Sequence, residues 1–251
     1  RIEAITAKDP QQPKVRRRVL ADLDSAPYPE QPIVPFLETI PDRVAIEVAR
    51  GCTRGCRFCQ AGYIYRPVRE RHPDTIRNLI DQLLNHSGYD EVSLLSLSTG
   101  DYSAIETLMQ NLMGCYADQS IAVSLPSLRV GSLTPELMNE IKKVRKTGFT
   151  LAPEAGSERL RQVINKGINA EDLIDSATTA FELGWRIIKL YFMIGLPTET
   201  DEDLDALVEL AARVKKAGKG TQGGADVNVS VSTFVPKAHT PFQWEAQIGY
   251  E

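Results

Sequence analysis

From residue 43 onward, two rhythms of apolar spacing alternate along the chain. Short runs rich in Val, Ile, Leu, Phe or Thr occupy 43–48, 91–97, 121–125, 148–151, 186–194 and 226–235, and these predict β-strands. Stretches of helical period lie between them. Ile76, Leu79, Ile80, Leu83 and Leu84 fall on one helix face. Ser103 is expected to cap the next helix, with Ile105, Leu108, Met109, Leu112 and Tyr116 inward. Thr134 and Pro135 read as N-cap and first helical position of a third. Asn169 is expected to cap a fourth, burying Leu173, Ile174, Ala177 and Phe181 and ending at Gly184. Thr200 opens a fifth, where Asp201, Glu202 and Asp203 suit the positive end of the dipole and Lys215 and Lys216 the negative end. Six strands joined by helices imply parallel crossovers. The pattern fits an open partial barrel or a doubly wound sheet, and both place ligands beyond the C-terminal strand ends.

The first 42 residues lack this rhythm. Pro10, Pro13, Pro27, Pro29, Pro32, Pro35 and Pro41 break any long helix, with room for a short helical turn at 16–23. This part reads as a connector, 1–42, ahead of a core at 43–251. The chain opens on Arg1, so an upstream domain is expected.

Composition narrows the class. With 251 residues, 42% of them hydrophobic and 25% charged, the chain can bury a sizeable core without staples. No apolar run approaches the ~18 residues of a membrane span, and no secretory signal is visible, so a cytoplasmic protein without membrane contact is expected. A formal charge of -4 argues against coating nucleic acid. Arg16, Arg17, Arg18 and the basic stretch 142–146 leave a local patch open without indicating one. Four Cys in this length do not make a disulfide scaffold.

Three of those four sit in one loop after the first strand, Gly51-Cys52-Thr53-Arg54-Gly55-Cys56-Arg57-Phe58-Cys59. Soft thiolates select zinc, copper(I) or iron–sulfur. Structural zinc wants four closed ligands. Here a fourth is missing locally: His72 is the nearest candidate, and Cys115, on a predicted helix stripe, reads as a small inert hydrophobe. Three Cys on a four-iron cluster leave one iron open to a substrate or cofactor.

The spacing C-x3-C-x2-C, with Phe58 before the last Cys, resembles the signature of the radical S-adenosylmethionine (radical SAM) enzymes. The stretch Ser98-Thr99-Gly100-Asp101 resembles their second-strand loop, with Asp101 where the family carries Glu. Glu154-Ala155-Gly156-Ser157 followed by Asn165-Lys166-Gly167, and Ile194-Gly195-Leu196-Pro197-Thr198-Glu199, resemble the methylthiotransferase-like branch. Residues 48–69 and 234–244 look most like an uncharacterised group in which a cobalamin-binding-like domain precedes this core.

The resemblance implies an α/β fold, a (β/α)6 partial TIM-type barrel, over about 43–242. It implies a [4Fe-4S] cluster on Cys52, Cys56 and Cys59, and reductive cleavage of SAM to a 5′-deoxyadenosyl radical that acts on an unassigned substrate. By the same resemblance Ser98, Thr99, Gly100 and Asp101 would meet the SAM amine. Backbone at Phe58 would lie by the adenine, Glu154 would take the ribose, and Lys166 the carboxylate. Leu196 and Pro197 would close over the adenine edge, and Arg129 would enter the site. An oxygen-sensitive centre of this kind needs an electron donor such as flavodoxin or ferredoxin. Methylthiotransfer would need a second cluster, for which only Cys115 remains here. Cobalamin-dependent methylation would need an upstream domain, because the pattern D-x-H-x-x-G is absent. A zinc-bearing RNA-binding or scaffold module is the alternative from another class.

Overall fold

The computed structural model describes residues 17–37, 42–126, 128–132, 134–145, 149–220 and 224–249. In chain order the elements are β1 (Val44–Glu47), β2 (Ala49–Arg50), α1 (Ala61–Ile64), β3 (Arg69–Glu70), α2 (Pro73–Ser87) and β4 (Glu91–Leu95). Then come α3 (Ile105–Tyr116), β5 (Ala122–Ser124), α4 (Pro135–Ile141), β6 (Phe149–Glu154) and α5 (Glu158–Val163). The chain continues through α6 (Ala170–Glu182), β7 (Ile187–Ile194), α7 (Asp201–Ala217) and β8 (Asp226–Thr233).

Six strands form two parallel sheets, β1–β4–β5 and β6–β7–β8. Strand order follows chain order within each sheet, without the reversal a doubly wound sheet requires. The partial barrel is therefore the architecture. One buried apolar cluster joins both halves, running from Val44, Ile46 and Leu94 to Leu151, Ile188 and Leu190 and on to the helices.

Local chemistry sets the helix ends. Thr134 accepts the Leu137 N–H, and Asn169 forms a capping box with Asp172. Asp203 accepts from the Thr200 N–H and hydroxyl and lies 5% exposed. Ile76, Ile80 and Leu83 are buried along α2, while Leu79 and Leu84 pack at its margin.

Several expectations are corrected. Ser103 does not cap α3: the N-cap is Ala104, and both the N–H and hydroxyl of Ser103 bind the Glu70 carboxylate instead. Cys115 faces solvent rather than packing as a hydrophobe. Residues 17–23 form no helix, though Leu23 is buried. The fourth strand runs on to Glu154, with a register shift between Leu151 and Glu154. Residue 16, Gly148 and part of the basic stretch 142–146 lie outside the described residues.

Part of the proline-rich connector docks on the core. Tyr28 donates to the Ala45 carbonyl, and its ring lies 5.5 Å from the guanidinium carbon of Arg71. Arg71 is 1% exposed, and its two Nη atoms have no hydrogen-bond partner. The ring face offsets part of the cost of burying that cation.

Candidate active site at the C-terminal strand ends

The Cys loop leaves β2 through Gly51, whose φ of +96° suits glycine. A Cβ there would lie 2.6 Å from the carbonyl oxygens of Tyr65 and Pro67, so the loop can turn this closely only without a side chain. Distant segments then brace it. The Arg57 N–H donates to the Ile164 carbonyl at 2.9 Å, and Asn165 Nδ2 donates to the Gly55 carbonyl at 2.9 Å. Gln60 reaches the Ala238 carbonyl at 3.1 Å. Phe58 packs at the edge of a second apolar cluster of Ala155, Leu160, Ile164, Leu196, Phe234 and Phe242. The aromatic before the last Cys thus ties the loop after the first barrel strand to the ends of β6, β7 and β8.

Cys52, Cys56 and Cys59 are free and half-buried. Burial pushes the Cys56 thiol up, and the nearby Lys166 and Arg129 cations oppose that rise. Arg129 donates to the carbonyls of Lys166 and Gly167 and forms no ion pair among the described residues. Its charge therefore remains available beside the thiols.

Two ion pairs flank this loop. Arg54 grips Asp101 through Nε and Nη2, and Ser98 Oγ donates to the same carboxylate at 2.7 Å. The Arg54 hydrogen bond holds the Asp101 carboxyl below its usual range, helped by Ser98. On the other flank, Lys166 Nζ lies 3.0 Å from Glu154 Oε1. Glu154 has a φ of +68°, a left-handed conformation uncommon for a residue with a side chain.

The structure brings most of the expected residues together and redirects several. Ser98 and Asp101 share one network. Gly100 lies so close to Ser132 that a Cβ would meet its Oγ at 2.2 Å. Gly100, Asp101, Arg54 and Arg129 line one cavity of about 460 Å³. Thr99 is buried: its hydroxyl meets the Ser96 hydroxyl and the Leu94 carbonyl, and its own carbonyl accepts from Tyr102. Glu154 and Lys166 pair with each other. Leu196 is buried and Pro197 half-buried in a loop whose first N–H groups are held by the Glu199 carboxylate.

Arg54, Asn165 and Glu199 were not singled out from the sequence. Glu199 stood inside a recognised motif. Asn165 likewise stood inside a recognised motif and Arg54 inside the Cys loop, but neither showed its role, because their partners lie far along the chain.

A four-iron cluster fits this donor set: three free thiols sit on one loop braced through its backbone, with cations beside them. Each thiol would serve a separate iron. Among the described residues, no three His, Cys, Asp or Glu side chains gather for a single ion.

The Asp101 pairing has a pH signature. A carboxyl depressed in the folded state stabilises above its unfolded value of about 3.9, and that contribution is lost as pH falls through the lower folded value. The stability difference between the native chain and Asp101→Asn should therefore be level above about pH 5 and shrink below it. Urea melts across pH 3–7 check this, and a difference that stays constant through the acid range would contradict it.

The family model described as the Radical SAM superfamily matches residues 46–211. An uncharacterised protein of Methanocaldococcus jannaschii is 40% identical over 200 residues, 80% of this chain and 42% of the relative. The tRNA-2-methylthio-N(6)-dimethylallyladenosine synthase of Moorella thermoacetica is 25% identical over 195 residues, 72% of this chain and 44% of the relative. Among solved structures, the radical SAM methyltransferase TsrM of Kitasatospora setae, with cobalamin and a [4Fe-4S] cluster bound, superposes at a TM-score of 0.64. It is 16% identical and covers 80% of this chain and 38% of that one, a likeness of fold. The chain spans less than half the length of these relatives. Among the described residues, no helix is long and apolar enough to cross a membrane.

Proposed function

The chain belongs to the radical SAM superfamily, and from that premise we propose that it is the catalytic core of an enzyme that binds a [4Fe-4S] cluster on Cys52, Cys56 and Cys59 and cleaves SAM reductively. The observation that carries the reading is the braced three-thiol loop lying between two ion-paired carboxylates at the strand ends. When bound, the cluster supplies one electron to the sulfonium of SAM, which splits into methionine and a 5′-deoxyadenosyl radical.

The chain's own residues position and shield. Asp101, held as a carboxylate by Arg54, retains a free lone-pair direction for an ammonium group. Arg129 offers an unpaired cation for a carboxylate. Glu154, at its left-handed position, pairs with Lys166 and would accept from ribose hydroxyls. Phe58, Leu196 and Phe234 form an apolar wall that keeps water from that side. We assign residues 1–42 as the connector and 43–251 as the core. The electron donor is of flavodoxin or ferredoxin type, and the working compartment is the reducing cytoplasm.

Anaerobic reconstitution with iron and sulfide tests the donor set. About four irons and four sulfides per chain are expected. Stoichiometric zinc retained in their place would overturn the reading.

A further inference from the structure

A groove of about 650 Å³ runs beside the Cys loop between the connector and β3, lined by Arg17, Arg18, Arg50, Tyr65 and Arg69. Arg50 and Tyr65 also line a cavity of about 410 Å³ walled by Leu95 and Leu97 and bounded by Gly51, the residue before Cys52. Groove and chamber adjoin at Arg50 and Tyr65, and the mostly apolar chamber borders the start of the Cys loop at Gly51.

Its charge is largely uncompensated. Arg50 is neutralised by a two-pronged pair with Glu47. Arg17 donates to the carbonyls of Ile64 and Arg66, and Arg69 to those of Leu20, Tyr65 and Pro67. Carbonyl groups are neutral, so these guanidiniums keep their full charge. Arg18 is exposed, and among the described residues neither it, Arg17 nor Arg69 forms an ion pair. Of the nearby acids, Asp24 accepts the His72 N–H and Asp22 the Asp24 N–H, while Glu47, which lines the chamber, spends both carboxylate oxygens on Arg50. Stitching the 64–67 turn explains Arg17 and Arg69. It does not explain Arg18, or why three unpaired cations gather in a chain of net charge -4.

We propose that this groove binds a single-stranded nucleic-acid segment and directs one nucleotide into the chamber beside Cys52. Several guanidiniums spread along a groove match successive phosphates better than a lone phosphate group. Tyr65, 47% exposed at the junction of groove and chamber, presents a ring for base stacking. Leu95 and Leu97, exposed at 41% and 44%, give the chamber an apolar wall for a base. The inference deepens the proposed function by naming a substrate class, and it rests on the Cys loop being the reaction centre.

The test is fluorescence anisotropy of the full chain with labelled RNA and DNA oligonucleotides of about 12 nucleotides, across a salt series. Binding should weaken with salt. The slope should fall by about 2 in Arg17→Gln/Arg18→Gln/Arg69→Gln, at about 0.7 for each phosphate no longer neutralised. Arg18→Glu alone, which removes no internal hydrogen bond, should weaken binding about threefold to tenfold with unchanged thermal unfolding. Arg213→Gln, in an exposed pair with Glu171 on the α6–α7 face, should bind as the native chain does. Preference for RNA over DNA would assign the 2′-hydroxyl a contact, and equal binding would assign recognition to phosphate and base alone. No salt-dependent binding, an unchanged slope in the triple variant, or AMP binding as tightly as the strand would overturn the proposal. Production of 5′-deoxyadenosine by the same preparation keeps the two readings apart. If it forms while no oligonucleotide binds, the groove inference fails and the proposed function stands; if strands bind but no 5′-deoxyadenosine forms, it is the proposed function that fails.

Discussion

Cys56→Ala is expected to lower iron from about four per chain to below about one, and to reduce SAM cleavage to background, while leaving the fold intact. Two thiols on the loop cannot replace three, and Cys115 is on α3, outside the Cys loop. The loop itself should persist. Its braces run through the Arg57 N–H and the Gly55 carbonyl, and Phe58 stays packed against its apolar cluster. None of these contacts uses a sulfur atom. Cys115→Ser should keep both iron and activity. Iron analysis, circular dichroism and thermal melts separate loss of the cluster from loss of structure. A Cys56→Ala protein that keeps its iron would show that the three thiols are not the donor set.

Lys166→Met should be the most destabilising single change near the site. Lys166 and Glu154 face each other at 3.0 Å with side chains only 11% and 17% exposed. Removing the cation leaves a carboxylate with little water and no partner, a cost of about 3 kcal/mol. For a chain of this size that lowers the melting temperature by roughly 6–12 °C. Glu154 is also held in the left-handed region, so losing its partner loosens the strand end that the site depends on. Adding Glu154→Gln should restore part of the loss by removing the stranded charge, and a double-mutant cycle measures the coupling. The KM for SAM should rise in Lys166→Met. A melting temperature within about 2 °C of the native value would show that solvent already screens this pair.

What could be read from the sequence was local. Thr134 and Asn169 act within three residues of their own helix starts, so type and spacing reveal them. The apolar runs locate six strands, five of which bury residues in the core, whereas β8, at a sheet edge, has none buried. The two-residue ladder of β2 with β3 carries no period to detect. The α5 helix, six residues long and capped by Ser157, is too short to show a helical period. Ser103 matched the local cap pattern, yet Glu70, 33 positions away, takes its hydrogen bonds. The three Cys were legible because their chemistry is rare and their spacing short. Their supports were not. Arg54 meets Asp101 across 47 positions and Asn165 meets Gly55 across 110. Only the folded partial barrel makes those neighbours.

The arrangement at the strand ends gives Glu154 and Lys166 one structural task, holding each other, before any ligand arrives. Among the described residues Arg129 carries no such task toward an acid, so in the proposed function its charge is the one free to meet a carboxylate near Cys56.

The most direct measurement is the yield of 5′-deoxyadenosine from SAM by the anaerobically reconstituted chain with a strong one-electron reductant. Time-dependent 5′-deoxyadenosine and an equal amount of methionine are expected, with none from Cys56→Ala. A reconstituted protein that holds about four irons, is reduced, and leaves SAM intact would contradict the assignment of this loop as a SAM-cleaving centre.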